Sequence, residues 1–425
     1  MACPGRGKRV RSRALHCRSE RDLSRGTGET RMTCLGTSYR SVVLVVALQT
    51  GAGANGGIAS LTEIMRSLDR YRPVLITNLD SALTEKWRAE GIEVHVVPEQ
   101  ASRGIRKAPL ATAMTYWRYF RAVRRILNST GARIVHANDP LAFQLALTPV
   151  RVARRSVRLA LNVRDTLSPD RPVPRKRYRW LFAQADHTFF LSQDMRSRWE
   201  QAIDRPIAAA SATYSIVDFE RFRTTPLPDE APASVLVSGV ICVKKGQLRY
   251  LEKVAPRLAQ ANIVSWLSGD FDDTNSDYAK ACAEAARPLG EHVRFLGYRS
   301  DIPDLIAGAR VVCVASRYEG LMRTMIEAMA MGRPVVSTAV ASAREMLAVD
   351  GRPAGTVVSL DFGDDMADAL IDLCSDLGKN SALGANGALI ARELFERRSV
   401  VEAYQQVYDD LWGPPPNHKR RSKSS

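Results

Sequence analysis

The sequence has little that would indicate a disulfide-bonded, metal-binding or membrane-spanning protein. Its 425 residues contain seven cysteines, an odd number, and no two of them form a CxxC pair. This argues against a zinc site of common spacing and against a disulfide framework, so we expect a reducing compartment. No apolar run approaches the roughly 20 residues that a membrane span needs, and residues 1–40 lack the apolar block of a secretory signal. We therefore expect a cytoplasmic protein.

Acidic residues are scarce at both ends of the chain. The formal net charge is +16, and residues 1–40 contain ten Lys/Arg against three Asp/Glu. Residues 413–425 add four basic residues and no acid, which leaves +5 for everything between. We interpret 1–40 as a disordered basic N-terminal extension and 413–425 as a disordered basic tail. A nucleic-acid-binding protein is the weakest interpretation, because no recognition helix or RNA-stacking motif accompanies the charge.

The chain between these ends alternates strand and helix patterns. The run SVVLVVAL at 41–48 is typical of a buried parallel strand, and a glycine-rich loop and a helical pattern follow it. The same order recurs to residue 223 and, beyond a proline-rich linker at 224–233, from residue 234 to 384. The class is therefore α/β, with two Rossmann-like doubly wound domains facing across a cleft. A polar helix at 385–412 is expected to pack back across the domains.

The segment SRYEGLMRTMIEAMAMGRPVVST, residues 316–338, reads as a loop, a helix and a strand. Gly332 stands where a helix C-cap glycine belongs, and Pro334 follows it. The loop thus lies at the carboxyl end of one strand and the start of a helix, where open α/β sheets bind ligands. An anion there would meet the free backbone N–H groups of Gly320, Leu321 and Met322.

Glu319 and Glu327 lie eight residues apart in this segment. Two carboxylates could accept hydrogen bonds from the two diols of a sugar nucleotide while backbone amides hold its diphosphate. Alternatively, Glu319 is a solvated loop acid and Glu327 pairs with Arg323 one helical turn back. The spacing alone favours this second interpretation.

The segment as a whole resembles the donor-site motif of the retaining GT-B glycosyltransferases of family 4. The matching residues are Glu319–Gly320, Glu327–Ala328–Met329–Ala330, Gly332 and Pro334–Val335–Val336. The resemblance covers most of residues 41–410. It implies the GT-B fold, with an acceptor domain at 41–223 and a donor domain at 234–384. It also implies transfer of a sugar from a UDP-, GDP- or ADP-linked donor to a hydroxyl group with retention, and without a metal or other cofactor. Glu319 would orient the sugar and Glu327 would hold the ribose.

Other segments extend the resemblance. VSGVICVKKGQ at 237–247 matches the family's G-R-x-x-x-x-K-G-Q, which places Lys245 on the donor diphosphate and Lys244 beside it. The glycine pair Gly56 and Gly57 matches the loop that approaches donor and acceptor. Tyr298 and Arg299 follow an F-L-G match and would lie near the base.

The sequence departs from the family at two charged positions. Val240 stands at the family's arginine, so we expect weaker diphosphate binding or a larger role for Lys244. Arg164, before Asp165, stands where many relatives have a histidine. A guanidinium cannot act as a base, but it can stabilise phosphate charge. A structural Arg164–Asp165 ion pair is an equal alternative, and His136 is interpreted as structural.

Two basic–aromatic segments bear on the acceptor. YWRYFRAVRR at 116–125 and RPVPRKRYRW at 171–180 suit an anionic membrane surface, although each alone fits a solvated face over buried aromatics. With the lipid-linked acceptors common in the family, they predict a peripheral enzyme on the cytoplasmic face that builds cell-envelope polysaccharide or glycolipid. The second hypothesis is a catalytically weak or inactive sugar-nucleotide-binding scaffold.

Overall fold

The computed structural model describes residues 32–34, 37–39, 41–49, 56–98, 109–153, 156–164, 167–168, 172–227, 232–272 and 275–413. Its first element is an antiparallel pair, β1 (Met32–Cys34) with β2 (Thr37–Tyr39). These two strands fall within the expected N-terminal extension and contain two threonines and a tyrosine, residue types that favour strands. Residues 1–31, 35–36 and 40 of the extension and residues 414–425 of the basic tail lie outside the described residues.

The first domain is a parallel sheet of seven strands in the order β5-β4-β3-β6-β7-β8-β9. Its elements are β3 (Ser41–Val46), α1 (Gly56–Ser67), β4 (Tyr71–Thr77), α2 (Ala82–Ala89), β5 (Glu93–Val96), α3 (Pro109–Thr130), β6 (Ile134–Ala137), α4 (Pro140–Arg151), β7 (Arg158–Val163), α5 (Arg175–Gln184), β8 (His187–Phe190), α6 (Gln193–Ile203) and β9 (Ala210–Ala212). The strand order reverses between β3 and β6, so a crevice opens at their carboxyl ends.

The second domain is a parallel sheet of six strands in the order β12-β11-β10-β13-β14-β17. Its elements are β10 (Ser234–Ser238), α7 (Gln247–Lys253), α8 (Ala255–Gln260), β11 (Val264–Ser268), α9 (Ser276–Ala286), β12 (Val293–Gly297), α10 (Ile302–Gly308), β13 (Val311–Val314), α11 (Arg323–Ala330), β14 (Val335–Thr338), α12 (Ala343–Leu347), the antiparallel pair β15 (Ala348–Val349) and β16 (Arg352–Pro353), β17 (Gly355–Val358) and α13 (Asp364–Ser375). The order reverses between β10 and β13. The two doubly wound domains confirm the predicted fold class.

The predicted polar helix at 385–412 is two helices, α14 (Leu377–Phe395) and α15 (Arg397–Trp412). The break falls at Glu396, whose ψ of 135° is extended and whose carboxylate caps α15 by accepting from the Ser399 backbone N–H at 3.0 Å. Helix α14 packs on α11 of the second domain, whereas α15 packs on the first domain. The side chains of Tyr404 and Tyr408 are fully buried in the same core cluster as Trp87.

Polar contacts fix α15 on the first domain. The carboxylate of Asp409 accepts from Tyr71 Oη at 2.5 Å and pairs with Arg70 Nη1 at 2.7 Å. The side-chain oxygen of Gln405 accepts from the backbone N–H of Arg70 at 2.8 Å. Helix α15, the last helix of the described residues, is thus part of the first domain's core.

The first residues of the predicted linker are bound to the second domain. Arg333, only 2% exposed, donates to the carbonyl oxygens of Thr225 and Pro226 and to that of Ala307. Thr224 Oγ1 donates to the Ala330 carbonyl at 2.9 Å. A buried guanidinium needs several hydrogen-bond acceptors. Backbone carbonyl groups of the predicted linker supply two of them. Its proline-rich composition did not reveal this attachment.

The two domains also meet through helix α12. The Glu345 carboxylate accepts from the backbone N–H groups of Gln193 and Asp194 at the start of α6, at 3.1 and 2.7 Å. It also accepts from Tyr214 Oη at 2.6 Å. Burial raises the pKa of Tyr214, as does the adjacent carboxylate, so the phenol keeps its proton and remains a donor. A carboxylate of one domain therefore caps a helix of the other.

Candidate active site

A cleft of about 850 Å³ lies between the two domains. It lies at the carboxyl ends of strands near both points of reversed strand order. The first domain contributes Gly57, Asn138 and Arg164, and the second contributes Lys245, Glu319 and Arg323, among others. Among the described residues that line it, the positively charged ones are Arg164, Arg177, Lys244, Lys245 and Arg323, against the carboxylates of Asp139 and Glu319. This excess of positive charge suits an anionic ligand.

Glu319 is not the solvated loop acid of the simpler interpretation. It is 6% exposed, and its Oε1 lies 2.7 Å from Lys245 Nζ. Lys244 Nζ lies 3.6 Å from Oε2, and Ser316 Oγ donates to Oε1 at 3.1 Å. A buried carboxylate is stable only with such partners. The two lysines predicted on the donor side thus meet the predicted sugar-binding glutamate.

Gly246 and Gln247 hold the turn that carries Lys244 and Lys245 in place. Gly246 has φ +71°, and a Cβ on it would lie 2.1 Å from the Ala315 carbonyl oxygen. Only glycine allows this approach, which sets the turn directly on the end of β13. Gln247, 1% exposed, donates from Nε2 to the Val240 carbonyl at 3.0 Å. The sequence contained the K-G-Q segment, but neither of these roles was predicted from it.

Glu327 lies in α11 and is 7% exposed. Its Oε1 is 3.0 Å from Nη2 of Arg323 and accepts from Nε at 3.2 Å. The ion pair considered as the simpler alternative is therefore present. Burial raises the pKa of Glu327, and the opposing charge of Arg323 reduces that rise. Arg323 and Thr324, in the first turn of α11, line the cleft, whereas Glu327 is not among the residues that line it.

Gly320, Leu321 and Met322 all line the cleft just before α11. The helix begins at Arg323, because Met322 before it has an extended ψ of 109°. A Cβ on Gly320 would lie 2.4 Å from the Arg164 carbonyl oxygen of the other domain. The predicted anion-binding segment is thus also a point of close contact between the domains.

Arg164 reaches the cleft from the end of β7. Its Nε donates to Asn138 Oδ1 at 2.6 Å, and Asn138 was not among the predicted site residues although it follows strand β6 directly. Burial lowers the pKa of Arg164, and the positive charge of Arg323 lowers it further. Asp165 lies outside the described residues, so the proposed Arg164–Asp165 pair does as well.

The remaining predicted residues separate into two groups. Helix α1 begins at Gly56, and Gly57 lines the cleft. Tyr298 is 75% exposed, Arg299 pairs with Asp301, and neither lines the cleft. Both follow β12, an edge strand two positions from the point where the strand order reverses. Their placement near the base stays a prediction, since neither residue is among those that line this cleft.

The surroundings of His136 indicate a structural role. It is 1% exposed, its Nδ1 lies 2.7 Å from Tyr408 Oη, and its ring stacks on Phe189 with centroids 5.2 Å apart. Burial lowers its pKa to about 3, with a contribution from the charge of Arg164, so the imidazole is neutral near pH 7. No helix in the described part of the chain is long and apolar enough to cross a membrane.

The fold, with a cationic cleft between two doubly wound domains, is that of the GT-B class. Two family models match the chain, "Glycosyl transferases group 1" over residues 232–376 and "Glycosyl transferase 4-like domain" over residues 52–208. The chain belongs to the GT-B glycosyltransferases of the group 1/family 4 type, and it is a glycosyl-transferring enzyme.

Individual relatives agree with this assignment. The MMP alpha-(1->4)-mannosyltransferase of Mycolicibacterium hassiacum is 25% identical over 65% of this chain and 70% of its own length. The lipopolysaccharide core biosynthesis glycosyltransferase LpsE of Rhizobium meliloti is 28% identical over 49% of this chain and 58% of its own. The structure of HepE from Anabaena in complex with UDP has a TM-score of 0.71 at 22% identity, covering 87% of this chain and all of HepE. That likeness shows the fold.

Proposed function

We propose that the enzyme transfers a sugar from a nucleotide-sugar donor to a hydroxyl group of an envelope glycan or glycolipid, with retention at the anomeric carbon. The observation that carries this is the contact of Lys245 and Lys244 with buried Glu319 at the start of α11. It supports the proposal because a carboxylate able to accept from sugar hydroxyls lies beside two cations suited to a diphosphate. The lipopolysaccharide-core role in the name of LpsE and the UDP-glucose in a HepE structure support the substrate classes.

The donor would bind along the second domain. Lys245, Lys244 and the backbone N–H groups before α11 would hold the diphosphate. Glu319 would accept from sugar hydroxyls, and Glu327 from the ribose. Because the cleft's own cations can neutralise phosphate charge, we propose that transfer needs no metal ion and no other cofactor.

The chemical step would take place on one face of the sugar. The bond from the anomeric carbon to the diphosphate oxygen breaks while a bond to the acceptor oxygen forms on the same side. The acceptor's proton passes to the departing phosphate oxygen, so the diphosphate leaves protonated and no protein base is needed. The protein positions the reactants and stabilises the charge that develops on the phosphate, with Lys245 and Arg164 nearest.

Measuring nucleotide release from a panel of UDP-, GDP- and ADP-sugars tests this proposal. Release or transfer with one donor supports it. Binding of a nucleoside diphosphate without release from any donor, even with envelope lipid extract as acceptor, would favour the scaffold hypothesis. A thermal-shift screen against UDP, GDP and ADP identifies the base before the sugars are tried.

The two glutamates should affect different quantities. Glu327→Ala should weaken binding of the matching nucleoside diphosphate about tenfold, because a ribose acceptor is lost. Glu319→Ala should lower turnover more than nucleotide affinity, because its carboxylate faces the sugar and its removal leaves both lysines available to the phosphates. Calorimetry and initial rates separate the two effects. Equal affinity in wild type and Glu327→Ala would contradict the ribose assignment.

The acceptor side carries a candidate membrane surface on helix α3. Leu110, Met114 and Trp117 are 80%, 46% and 57% exposed and lie on one helical face, and Arg121 lies over the Trp117 ring at 4.7 Å. Tyr119, in contrast, is fully buried. The aromatic residues of this segment therefore divide between core and surface, and the exposed set suits an anionic bilayer. We propose peripheral binding to the cytoplasmic leaflet through this face.

Flotation with vesicles containing phosphatidylglycerol tests the membrane proposal. Wild type should float with these vesicles and remain unbound with phosphatidylcholine vesicles. Trp117→Glu should lower the bound fraction several-fold, because it removes an inserting ring and adds a repelled charge. Leu389→Glu, at a position 54% exposed on α14, is the matched control. Absence of wild-type flotation would rule the surface out.

A further inference from the structure

Val240 stands at the position of the family's arginine, so this position supplies no positive charge for a donor diphosphate. The Val240 side chain is 52% exposed and carries no charge. Lys244, the nearest alternative in sequence, faces two groups already: its Nζ is 3.6 Å from Glu319 Oε2 and 5.4 Å from the centre of the Tyr318 ring. The turn therefore offers two lysines that share one carboxylate.

Arg323 is the first residue of α11 and lies near this turn. Its side chain lines both the main cleft and a small cavity of about 30 Å³ beside Lys245. Nε and Nη2 approach one oxygen of Glu327, whereas Nη1 is buried without a hydrogen-bond partner in the described part of the chain. A buried donor without a partner costs free energy that a bound acceptor would recover.

Arg164 shows the same feature from the first domain. Its Nη2 is buried without a partner among the described residues, and its positive charge is close enough to Arg323 for the two to repel. Two arginines from opposite domains thus line the same cleft, and Arg323 is paired with the Glu327 carboxylate. Such an arrangement is stabilised by an anion bound between them.

We propose that Arg323 supplies the contact with the donor diphosphate that Val240 cannot make. This rests on the proposed function of the cleft. Before the donor binds, Glu327 holds the guanidinium beside Lys245. When the donor binds, the guanidinium donates to a phosphate oxygen, and the Glu327 carboxylate becomes available to the ribose. Arg164 approaches the same phosphates from the other domain.

The competing explanation is that Arg323 only compensates the buried charge of Glu327. The two roles differ in what they recognise. A diphosphate contact affects nucleoside diphosphates more than nucleosides, whereas support of Glu327 affects the ribose contact and hence both ligands equally. An arginine at position 240 would restore diphosphate affinity only if Arg323 contacts the diphosphate.

Calorimetric titration of Arg323→Gln, Arg323→Lys and Arg323→Gln/Val240→Arg tests the proposal. The ligands are the nucleoside diphosphate found in the screen, its monophosphate and its nucleoside. For Arg323→Gln we expect diphosphate affinity to fall about 10- to 100-fold, with a smaller loss for the monophosphate and less than a threefold change for the nucleoside. Lysine should recover part of the loss, and Val240→Arg in the Arg323→Gln background should recover at least tenfold.

Arg223→Gln is the control for loss of one positive charge, because Arg223 pairs with Glu220 on an exposed surface. It should bind the diphosphate as wild type does. Equal losses for diphosphate and nucleoside in Arg323→Gln, or no rescue by Val240→Arg, would overturn the role of Arg323 while leaving the proposed function intact. If wild type binds none of UDP, GDP and ADP, the proposed function fails, and this inference fails with it.

Discussion

Replacing Lys245 by methionine is expected to lower the turnover of sugar transfer about 100- to 1,000-fold. Methionine keeps most of the side chain's length, so packing against Gly239, where Lys245 Cε would lie 3.2 Å from an added Cβ, changes little. What is lost is the charge beside the leaving diphosphate, and a positioned charge of this kind contributes about 3–4 kcal/mol to a transition state. Initial rates at saturating donor measure the effect.

The loss at Lys245 should not be a consequence of unfolding. Glu319 keeps Lys244 and Ser316 as partners, so its burial stays compensated in part. Lys253→Met, at an exposed position on α7, is the control and should retain wild-type turnover. Turnover within threefold of wild type for Lys245→Met would show that the diphosphate does not bind at this turn.

Gly320→Ala is expected to lower turnover about 100-fold while leaving affinity for the nucleoside diphosphate within a few-fold of wild type. Its Cβ would lie 2.4 Å from the carbonyl oxygen of Arg164, and backbone cannot yield as a flexible side chain can. The two domains must therefore separate locally. Most of the proposed donor contacts belong to the second domain and survive, whereas Arg164 and the acceptor side shift, and a displacement of about 1 Å can cost a hundredfold in rate.

The matched control is Gly308→Ala, in the same domain. There an added Cβ would meet the Trp266 ring at 3.4 Å, an ordinary contact, so activity should be unchanged. If Gly320→Ala lost nucleotide affinity as strongly as turnover, the damage would lie in the donor site itself rather than in the alignment of the domains.

The sequence predicted that Lys245 and Glu319 lie on the same side of the cleft, and the structure brings the two side chains into contact. Lys245 and Glu319 are 74 residues apart in the chain, but each lies after a strand next to the reversal of strand order, so the fold brings them together. Tyr298 and Arg299 also follow a strand, but that strand is β12 at the edge of the sheet, and neither residue lines the cleft. Hydrophobic pattern identifies a strand, but it does not show whether that strand lies at the centre or the edge of the sheet.

Contacts formed where the two domains meet were beyond prediction. Nothing in the sequence around Glu345 shows that it caps a helix 151 residues earlier. Likewise, Arg323 and Glu327 showed a pairing in their spacing, but not the unpartnered Nη1 or the position of Arg164 in the same cleft. Such features depend on how two domains meet, which local pattern does not encode.

The return of α15 to the first domain has a consequence for how the protein is made. Tyr404 and Tyr408 share a core cluster with Val43, so residues near both ends of the described chain complete one face of the same sheet. On the ribosome, the first domain emerges early but cannot cover that face until residues 397–412 leave the exit tunnel. Domains usually fold in order of synthesis. Here the first domain completes its core only after the second domain has been synthesised. A nascent chain stalled before α15 would therefore present an uncovered apolar surface to chaperones and proteases.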